Sequence, residues 1–422
     1  MSRIELQNAK GGAWSALGIA NFRLLLASSV LTDACTWTQQ IILSWLIFHV
    51  TSSGTALGSI NFVRGIAAFS IIPLAGILID RLNRRGLMIW VNVWRLLTNF
   101  VLALVLISGH FHIGVLFAFT CLYGFAQATS KALQQVAIFD LVPRRLTPNA
   151  VAMVQTGWAL MRSFGPAIGG FLLLWIGAGY NFLILAALYA VITVTVINID
   201  FPERCAPAQK TSPLDSIKTA VQFIARTPTT RNFMFIGFCL PLLIIPTFFI
   251  MPVVFAKQIF HGGPEVQGLL TAAVGIGGVF GGFTTATLIR VEYRARLLLT
   301  ALFLLSCSLI GFSFANRLWL GLICMTMAGF FEMLFIATNQ TLLQLSIPDE
   351  MRGQLTAMVN LNGILSPIGS MIAGVGCDVL ASPRTVVLLM SGLAAIIAIL
   401  VMLFSSGVRN YRISEALSGK GP

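Results

Sequence analysis

Long apolar stretches separated by short polar ones dominate the chain. Each stretch is about 20 residues long, the length with which an α-helix crosses the hydrocarbon core of a bilayer. Each also ends at a charge or a turn signal. The pattern predicts twelve transmembrane helices, at residues 24–47, 55–79, 86–107, 113–138, 148–175, 180–199, 232–255, 265–289, 297–315, 318–343, 354–379 and 384–405. We therefore expect an all-α membrane protein.

One long polar connection lies between the sixth and seventh predicted helices. It contains four prolines, a composition that favours a linker: Pro202, Pro207, Pro213 and Pro228. The chain is thus predicted to contain an N-terminal six-helix bundle at 1–199, a cytoplasmic linker at 200–230 and a C-terminal six-helix bundle at 231–422.

The two predicted bundles repeat each other at an offset of 205 residues. The matching pairs are Gly124 and Gly329, Gln135 and Gln340, Pro143 and Pro348, Ala152 to Val154 and Ala357 to Val359, and Gly169 and Gly374. One gap-free register joins helices 4 and 5 to helices 10 and 11. This indicates two pseudo-symmetric six-helix repeats, an arrangement that transporters use around a central substrate path.

Composition supports a membrane protein and excludes other classes. Of the 422 residues, 57% are hydrophobic and 10% are charged, which is too apolar for a soluble domain. The net charge of +13 is spread over loops rather than gathered on one face, so nucleic acid is not expected as a partner. Seven cysteines are scattered singly, without metal-ligand spacing or a disulfide framework.

The 27 lysines and arginines give the orientation. Only Lys257, Arg317 and Arg384 fall on one side of the predicted membrane, and four others lie within helices. The rest lie on the opposite side, which is therefore cytoplasmic. Both termini are predicted to be cytoplasmic, in a multi-pass protein of the bacterial inner membrane, without a cleavable signal peptide.

Helix 1 carries a polar stripe at helical spacing, formed by Asp33, Thr36, Gln40 and Ser44, with Trp37 beside it. Burial favours the neutral form of a carboxylate, so Asp33 is a candidate for binding a proton or a substrate. The alternative is a structural ion pair with Lys131, which lies at a similar predicted depth on helix 4.

Further polar residues lie inside predicted spans. On helix 10, Glu332 is either functional or a protonated group bonded to backbone, and Asn339 lies two turns further on. On helix 5, Arg162 is a candidate contact for an anion. Arg64 either snorkels to the membrane surface or reaches a cavity, and Arg95 is expected to snorkel to the cytoplasmic face.

Prolines interrupt the seventh predicted helix at Pro241, Pro246 and Pro252. Because proline removes a backbone donor, such a helix can bend. We expect either a gating helix or a passive one.

The short polar stretch between helices 2 and 3 resembles the loop that marks the major facilitator superfamily, G-x-L-x-D-R-x-G-R-R. The residues that match are Gly76, Asp80, Arg81, Arg84 and Arg85. Asn83 replaces the second glycine, and asparagine is expected to tolerate the same left-handed turn. The resemblance implies the superfamily's fold of two six-helix bundles.

The same resemblance implies a conformational latch on the cytoplasmic side. It places Asp80 at the start of helix 11, near residues 353–357, where a helix N-terminus stabilises a carboxylate. The arginines of the loop are expected to reach Asp140 at the inner end of helix 4.

A second motif lies on helix 5 and is similar to the signature of the superfamily's proton-linked exporters. It is formed by Gly165, Pro166, Gly169 and Gly170. Small residues let another helix approach, and proline bends the helix, so a close-packed pivot is expected. Two departures are Met161, in place of the family's leading glycine, and Thr120, where drug exporters carry an arginine.

The sequences around Asn21 to Arg23, Thr51 to Gly54 and Leu141 to Arg145 resemble one bacterial branch of the superfamily, which contains the enterobactin exporter and the macrolide efflux proteins. Cations outnumber Asp33 in the first-half spans, which favours an anionic or chelating amphiphile such as a siderophore. We therefore expect a monomeric secondary transporter that exports such a molecule, or a drug, by alternating access. We expect a proton gradient as the driving force and no cofactor, metal or enzymatic activity. Uptake of a siderophore or nutrient is the alternative, and a membrane sensor is a remote one.

Overall fold

A computed structural model of the chain describes residues 15–109, 112–201, 227–288, 292–346, 362–405 and 409. Side chains at 73, 77, 80, 229, 286 and 362–364 lie outside the described part. Within it the secondary structure is helical, without a strand.

The helices follow the predicted order, after a short 3-10 turn at Ser15–Gly18. Within the described ranges they are α1 Ala20–Thr51, α2 Gly54–Arg81, α3 Arg84–Ile107, α4 Ile113–Leu141, α5 and α6 together Thr147–Ile197, α7 at residues 228–258, α8 Pro264–Thr287, α9 Arg294–Ser313, α10 Leu318–Leu345, α11 Asn362–Val379 and α12 Pro383–Phe404. The all-α fold with twelve helices is thus confirmed.

Nine helices of the described part are long and apolar enough to cross a membrane, and Thr147–Ile197, with 51 residues, has the length of two spans. A shorter apolar helix covers Leu365–Val379. Large apolar side chains are exposed along several of them, including Trp175 at 72% and Phe283 at 72%. Such exposure is costly in water and normal against lipid tails.

Gly177 separates α5 from α6. Its backbone has φ 77° and ψ 173°, in a region that glycine adopts without steric cost. The predicted loop between residues 175 and 180 therefore contracts to a sharp break at one residue.

The helix α7 is irregular where the prolines predicted a bend. It consists of Pro228–Cys239, a π-helical turn at Leu240–Ile244, Ile245–Phe249 and Met251–Gln258. Pro241 and Pro246 each lie next to a junction between these pieces, where the missing N–H group interrupts the regular hydrogen bonding of the helix.

The chain forms two compact units. The first consists of Met1–Ile47 with Val63–Pro207, and the second of Phe48–Phe62 with Ala208–Pro422. The end of α1 and the start of α2 therefore pack with the second unit. The predicted division into two six-helix bundles at 1–199 and 231–422 with a linker at 200–230 stays a prediction.

The repeat is visible in how each unit packs. In the first unit, a Cβ atom built on Gly124 of α4 would lie 2.9 Å from the carbonyl oxygen of Arg64 in α2. In the second unit, a Cβ atom on Gly329 of α10 would collide with the carbonyl of Val274 in α8. The residues paired at the 205-residue offset thus permit the same close helix approach twice.

Candidate functional site

A cluster of polar side chains lies inside the first unit and is called the first-unit cluster below. Its members are Asp33 of α1, Arg64 of α2, Arg95 of α3, Tyr123 and Lys131 of α4, and Tyr189 of α6. Two cations act electrostatically on the Asp33 carboxylate, and the effect of Lys131 is larger than that of Arg95. Asp33 is half-buried and Lys131 is exposed. The structure therefore brings the predicted pair of Asp33 and Lys131 into one electrostatic environment.

Hydroxyl groups link Thr36 of α1 to two members of the first-unit cluster, Tyr123 and Tyr189. The hydroxyl groups of Thr36 and Tyr123 lie 3.1 Å apart, and those of Tyr123 and Tyr189 also lie 3.1 Å apart. Tyr123 and Tyr189 are only 2% and 0% exposed. Because each buried hydroxyl has a partner, this series of hydroxyl groups fixes the relative position of α1, α4 and α6.

Arg95 does not snorkel, and that prediction is wrong. The residue is 1% exposed, with its guanidinium carbon 5.4 Å from the Tyr123 ring centre and 5.6 Å from that of Tyr189. Its Nη2 donates to the carbonyl oxygen of Ala126 over 3.4 Å. The two aromatic faces replace part of the lost hydration, so the cation stays inside instead of extending to the membrane surface.

Both arginines of the cluster carry buried donor atoms. The Nε and Nη1 atoms of Arg95 and the Nε atom of Arg64 are buried without a hydrogen-bond partner in the described part of the chain. Arg64 as a whole is half-buried and lies close enough to Tyr123 for an electrostatic interaction. Buried cationic donors without partners are costly, and an anionic ligand would satisfy them.

Aromatic rings and a cation lie between α1 and α5. The Trp37 and Trp158 rings are 6.2 Å apart at 57°, and the Arg162 guanidinium lies 5.6 Å from the Trp158 ring centre. Gln40 is 7% exposed, three residues along α1 from Trp37. These residues place two tilted aromatic rings beside a cation, which suits an amphiphile that carries negative charge.

The glycine and proline motif of α5 packs closely on α1. A Cβ atom on Gly165 would lie 2.8 Å from the Cβ atom of Trp37, and one on Gly169 would lie 3.0 Å from the Cα atom of Thr38. Pro166 and Gly170 are buried in the same helix. The close approach is therefore observed, and the pivoting motion stays a prediction.

The predicted polar residues of α10 lie in the second unit. Glu332 is 1% exposed, and Asn339 is 8% exposed with no partner for its Oδ1 atom among the described residues. Gly237 of α7 leaves room for the Asn339 amide, since a Cβ atom there would lie 2.7 Å from Nδ2. Asn339 therefore joins α7 to α10.

The loop between α2 and α3 forms part of the predicted latch. Arg84 forms an ion pair with Asp140, and the two side chains are 11% and 24% exposed. Arg85 donates to the carbonyl oxygen of Ile197 at the end of α6. Arg81 is exposed, and so is Gly76, around which the described residues leave open space. The expected contact of Asp80 with residues 353–357 falls outside the described part.

Asn83 does not form the expected left-handed turn. Its φ and ψ are −63° and 119°, and its Oδ1 atom accepts a hydrogen bond of 3.0 Å from the Arg85 amide. Asparagine is favoured at this position because it caps the first turn of α3. Asparagine therefore replaces glycine here because its side chain caps α3, and not because its backbone tolerates a left-handed conformation.

Sequence reasoning missed Tyr123 and Tyr189. Tyrosine is scarce in this chain, with 5 among 422 residues, so one in the middle of an apolar span was an available signal. A buried tyrosine hydroxyl requires a partner, and this predicts a polar neighbour at the same depth.

Comparison with known proteins gives a family and a fold. Residues 11–416 match the family described as transmembrane secretion effector. The staphyloferrin A transporter of Staphylococcus aureus is 24% identical over 402 residues, 94% of this chain and 99% of that one. The uncharacterized MFS-type transporter YfiS of Bacillus subtilis is 24% identical over 265 residues, 60% of each chain. The crystal structure of the nucleoside transporter NupG has a TM-score of 0.72 at 16% identity, covering 92% of this chain and 100% of that chain.

Proposed function

Since the chain belongs to the transmembrane secretion effector family of the major facilitator superfamily, we propose that this transporter exports a small anionic or chelating amphiphile of the siderophore type. The proposed route crosses the bacterial inner membrane, with both termini in the cytoplasm. The name of the staphyloferrin A transporter supports siderophores as the substrate class. The protein is a transporter and not an enzyme.

The observation that carries the proposal is the excess of positive charge in the first-unit cluster. Among the described residues, Arg64 and Arg95 carry buried donor atoms without hydrogen-bond partners, and the exposed Lys131 adds a third cation, against the single carboxylate of Asp33. A lipophilic cation would be repelled from such a site. An anion with several oxygen atoms would satisfy the donors, because charge-assisted hydrogen bonds to guanidinium are strong and directional.

The driving force follows from the charge of the proposed substrate. With the cell interior negative, each negative charge that moves outward gains about 2.3 kcal/mol per 100 mV of membrane potential. The membrane potential therefore favours export of an anion by itself. We infer that protons entering on Asp33 add to this force, since an acidic residue inside a membrane span is a candidate proton carrier.

Uptake remains the second candidate, and one observation favours it. Lys131 and Arg95 both act on Asp33. An anion that occupied these cations would favour the protonated form of Asp33, so that proton and substrate would bind together. Under an inward proton gradient, such co-binding drives uptake.

The number of protons exchanged on binding distinguishes the two directions. The purified full chain is mixed with staphyloferrin A as the probe in weakly buffered detergent solution containing a pH indicator. Export by exchange predicts that binding releases protons, and uptake predicts that binding consumes them. Absence of binding at millimolar probe would refute the siderophore class.

Asp33→Asn tests the proton carrier. In vesicles, this variant should lose gradient-dependent transport of the probe while its expression stays normal. Glu265→Gln is the matched control, because that carboxylate bonds the Gly263 amide in its own turn and should leave transport unchanged. Normal gradient-dependent transport by Asp33→Asn would remove Asp33 from the mechanism.

A further inference from the structure

The hairpin that joins α1 to α2 is held by a carboxylate from α11. Asp378 accepts three hydrogen bonds there, from the Ser53 hydroxyl at 2.6 Å, the Gly54 amide at 2.7 Å and the Thr55 amide at 2.9 Å. The first turn of α2 has no acidic residue of its own. Asp378 thus serves as the anionic cap of a helix that begins more than 300 residues before it in the sequence.

The other end of the hairpin meets a positive charge. The ammonium group of Lys257, at the end of α7, lies 3.5 Å from the carbonyl oxygen of His49 and 5.5 Å from the centre of the Phe48 ring. His49 is in the last turn of α1, where the helix dipole is negative. The end of α1 and the start of α2 are therefore each matched by an opposite charge from the second half of the sequence.

Close packing accompanies these contacts. A Cβ atom on Gly54 would lie 2.6 Å from the Cβ atom of Cys377, and one on Gly58 would lie 2.7 Å from the carbonyl oxygen of Ser370. The start of α2 and the end of α11 thus touch through their backbones, without side chains between them.

Backbone strain is located at the same place. Ser52 and Ala381 have φ of 50° and 48°, values that cost free energy for a residue with a side chain. Both line a cavity of about 290 Å³ beside Asp378. Such conformations persist only where the surrounding structure holds them, and they are frequent in switch regions.

We propose that Asp378 is a conformational latch, which closes the outer side of the transporter while it caps α2. The inference goes beyond the proposed function, because it concerns the conformational cycle and holds for any cargo or direction. The charge distribution of the loops predicts that this end of α2 is outside. In a transporter that works by alternating access, opening of the outer side accompanies closure of the inner side. Loss of the Asp378 contacts should therefore move the population toward the outward-open state.

Hydrogen exchange of the full chain tests the latch without added labels. In Asp378→Asn, exchange in a peptide covering residues 50–62 should become about tenfold faster, the size of effect that loss of a charged helix cap produces. Peptides at the inner ends of helices, such as residues 138–146, should exchange more slowly, because the population moves toward the outward-open state. Arg384→Gln is the matched control: this outer charge bonds Asn316 and not the hairpin, and neither peptide should change.

The readout on the inner side separates a latch from a simple cap. Faster exchange at 50–62 with unchanged exchange at the inner ends would overturn the proposal, as would unchanged exchange at both. If Asp378→Asn fails to fold, Ser53→Ala removes one of the three hydrogen bonds and should produce the same opposite changes at smaller amplitude. Equal exchange in Ser53→Ala and the wild type would also overturn the latch.

Discussion

Replacing Gly329 with alanine should destabilise the second unit far more than Gly124→Ala destabilises the first. The two residues are partners in the repeat, and each lies where one helix crosses the backbone of another. At Gly124 the added Cβ atom would lie 2.9 Å from a carbonyl oxygen and 3.0 Å from the Cβ atom of Ala67. The first of these is a backbone atom, so α2 must give way by a few tenths of an ångström.

At Gly329 the added atom would meet the carbonyl group of Val274 and also its Cα atom, at 2.8 Å. Backbone cannot rotate away, so α8 and α10 must separate. Overpacking of this kind costs about 1–3 kcal/mol, and the better helix propensity of alanine returns up to about 1 kcal/mol. We expect a net loss of about 2 kcal/mol for Gly329→Ala and a smaller loss, under about 1 kcal/mol, for Gly124→Ala. For a unit of about 200 residues, 2 kcal/mol lowers Tm by about 4–8 °C.

Thermal unfolding of the purified protein in detergent, followed by tryptophan fluorescence, measures the difference. Gly392→Ala on α12 is the matched control, because the described residues leave open space around a Cβ atom there. Its Tm should stay the same or rise. A Tm for Gly329→Ala equal to that of the wild type, or an equal loss in Gly392→Ala, would show that helix contact does not set these costs.

Two further predictions concern the loop between α2 and α3. Arg84→Gln and Asp140→Asn should each lower the free energy of unfolding by about 2 kcal/mol, because removing one partner leaves the other charge partly buried. The double variant should cost clearly less than the sum of the two single variants. Additive costs in this double-mutant cycle would show that the ion pair contributes nothing. Asn83→Ala should cost about 1 kcal/mol in thermal unfolding and Asn83→Ser almost none, because serine also caps a helix; equal losses in both variants would instead indicate that the backbone of the turn decides.

The positions of the helices could be predicted because hydrocarbon thickness sets their length. Every predicted span overlaps a described helix, and the departures occur where local chemistry extends or contracts the ends. The predicted start of the second helix at 55 lies one residue from its observed start at Gly54, and the Gly177 break replaces a predicted loop. The irregular turn of α7 follows directly from its prolines.

The candidate site could be predicted only in part, because hydropathy does not fix the rotation of a helix about its axis. The proximity of Asp33 and Lys131 could be predicted, because the depth of each residue in the membrane follows from its position along its helix. Arg95 was misplaced because its neighbours, Tyr123 and Tyr189, lie on other helices and are not related to it by any spacing in the sequence. Asp378 was missed because its partner amides belong to a helix in the other half of the sequence.

The π-helical turn of α7 also determines how α11 can move. Gly369 of α11 lies against carbonyl groups of this turn. A Cβ atom built on Gly369 would lie 2.5 Å from the carbonyl oxygen of Leu242 and 2.8 Å from the carbonyl oxygen of Pro241. The Pro246 ring takes part in the same contact, with its Cγ atom 2.8 Å from the built Cβ atom, so the two helices are tightly packed there. We therefore expect bending of α7 at its prolines to displace α11, so that a proline-to-alanine change in α7 alters the mobility of a helix that contains none of the substituted residues.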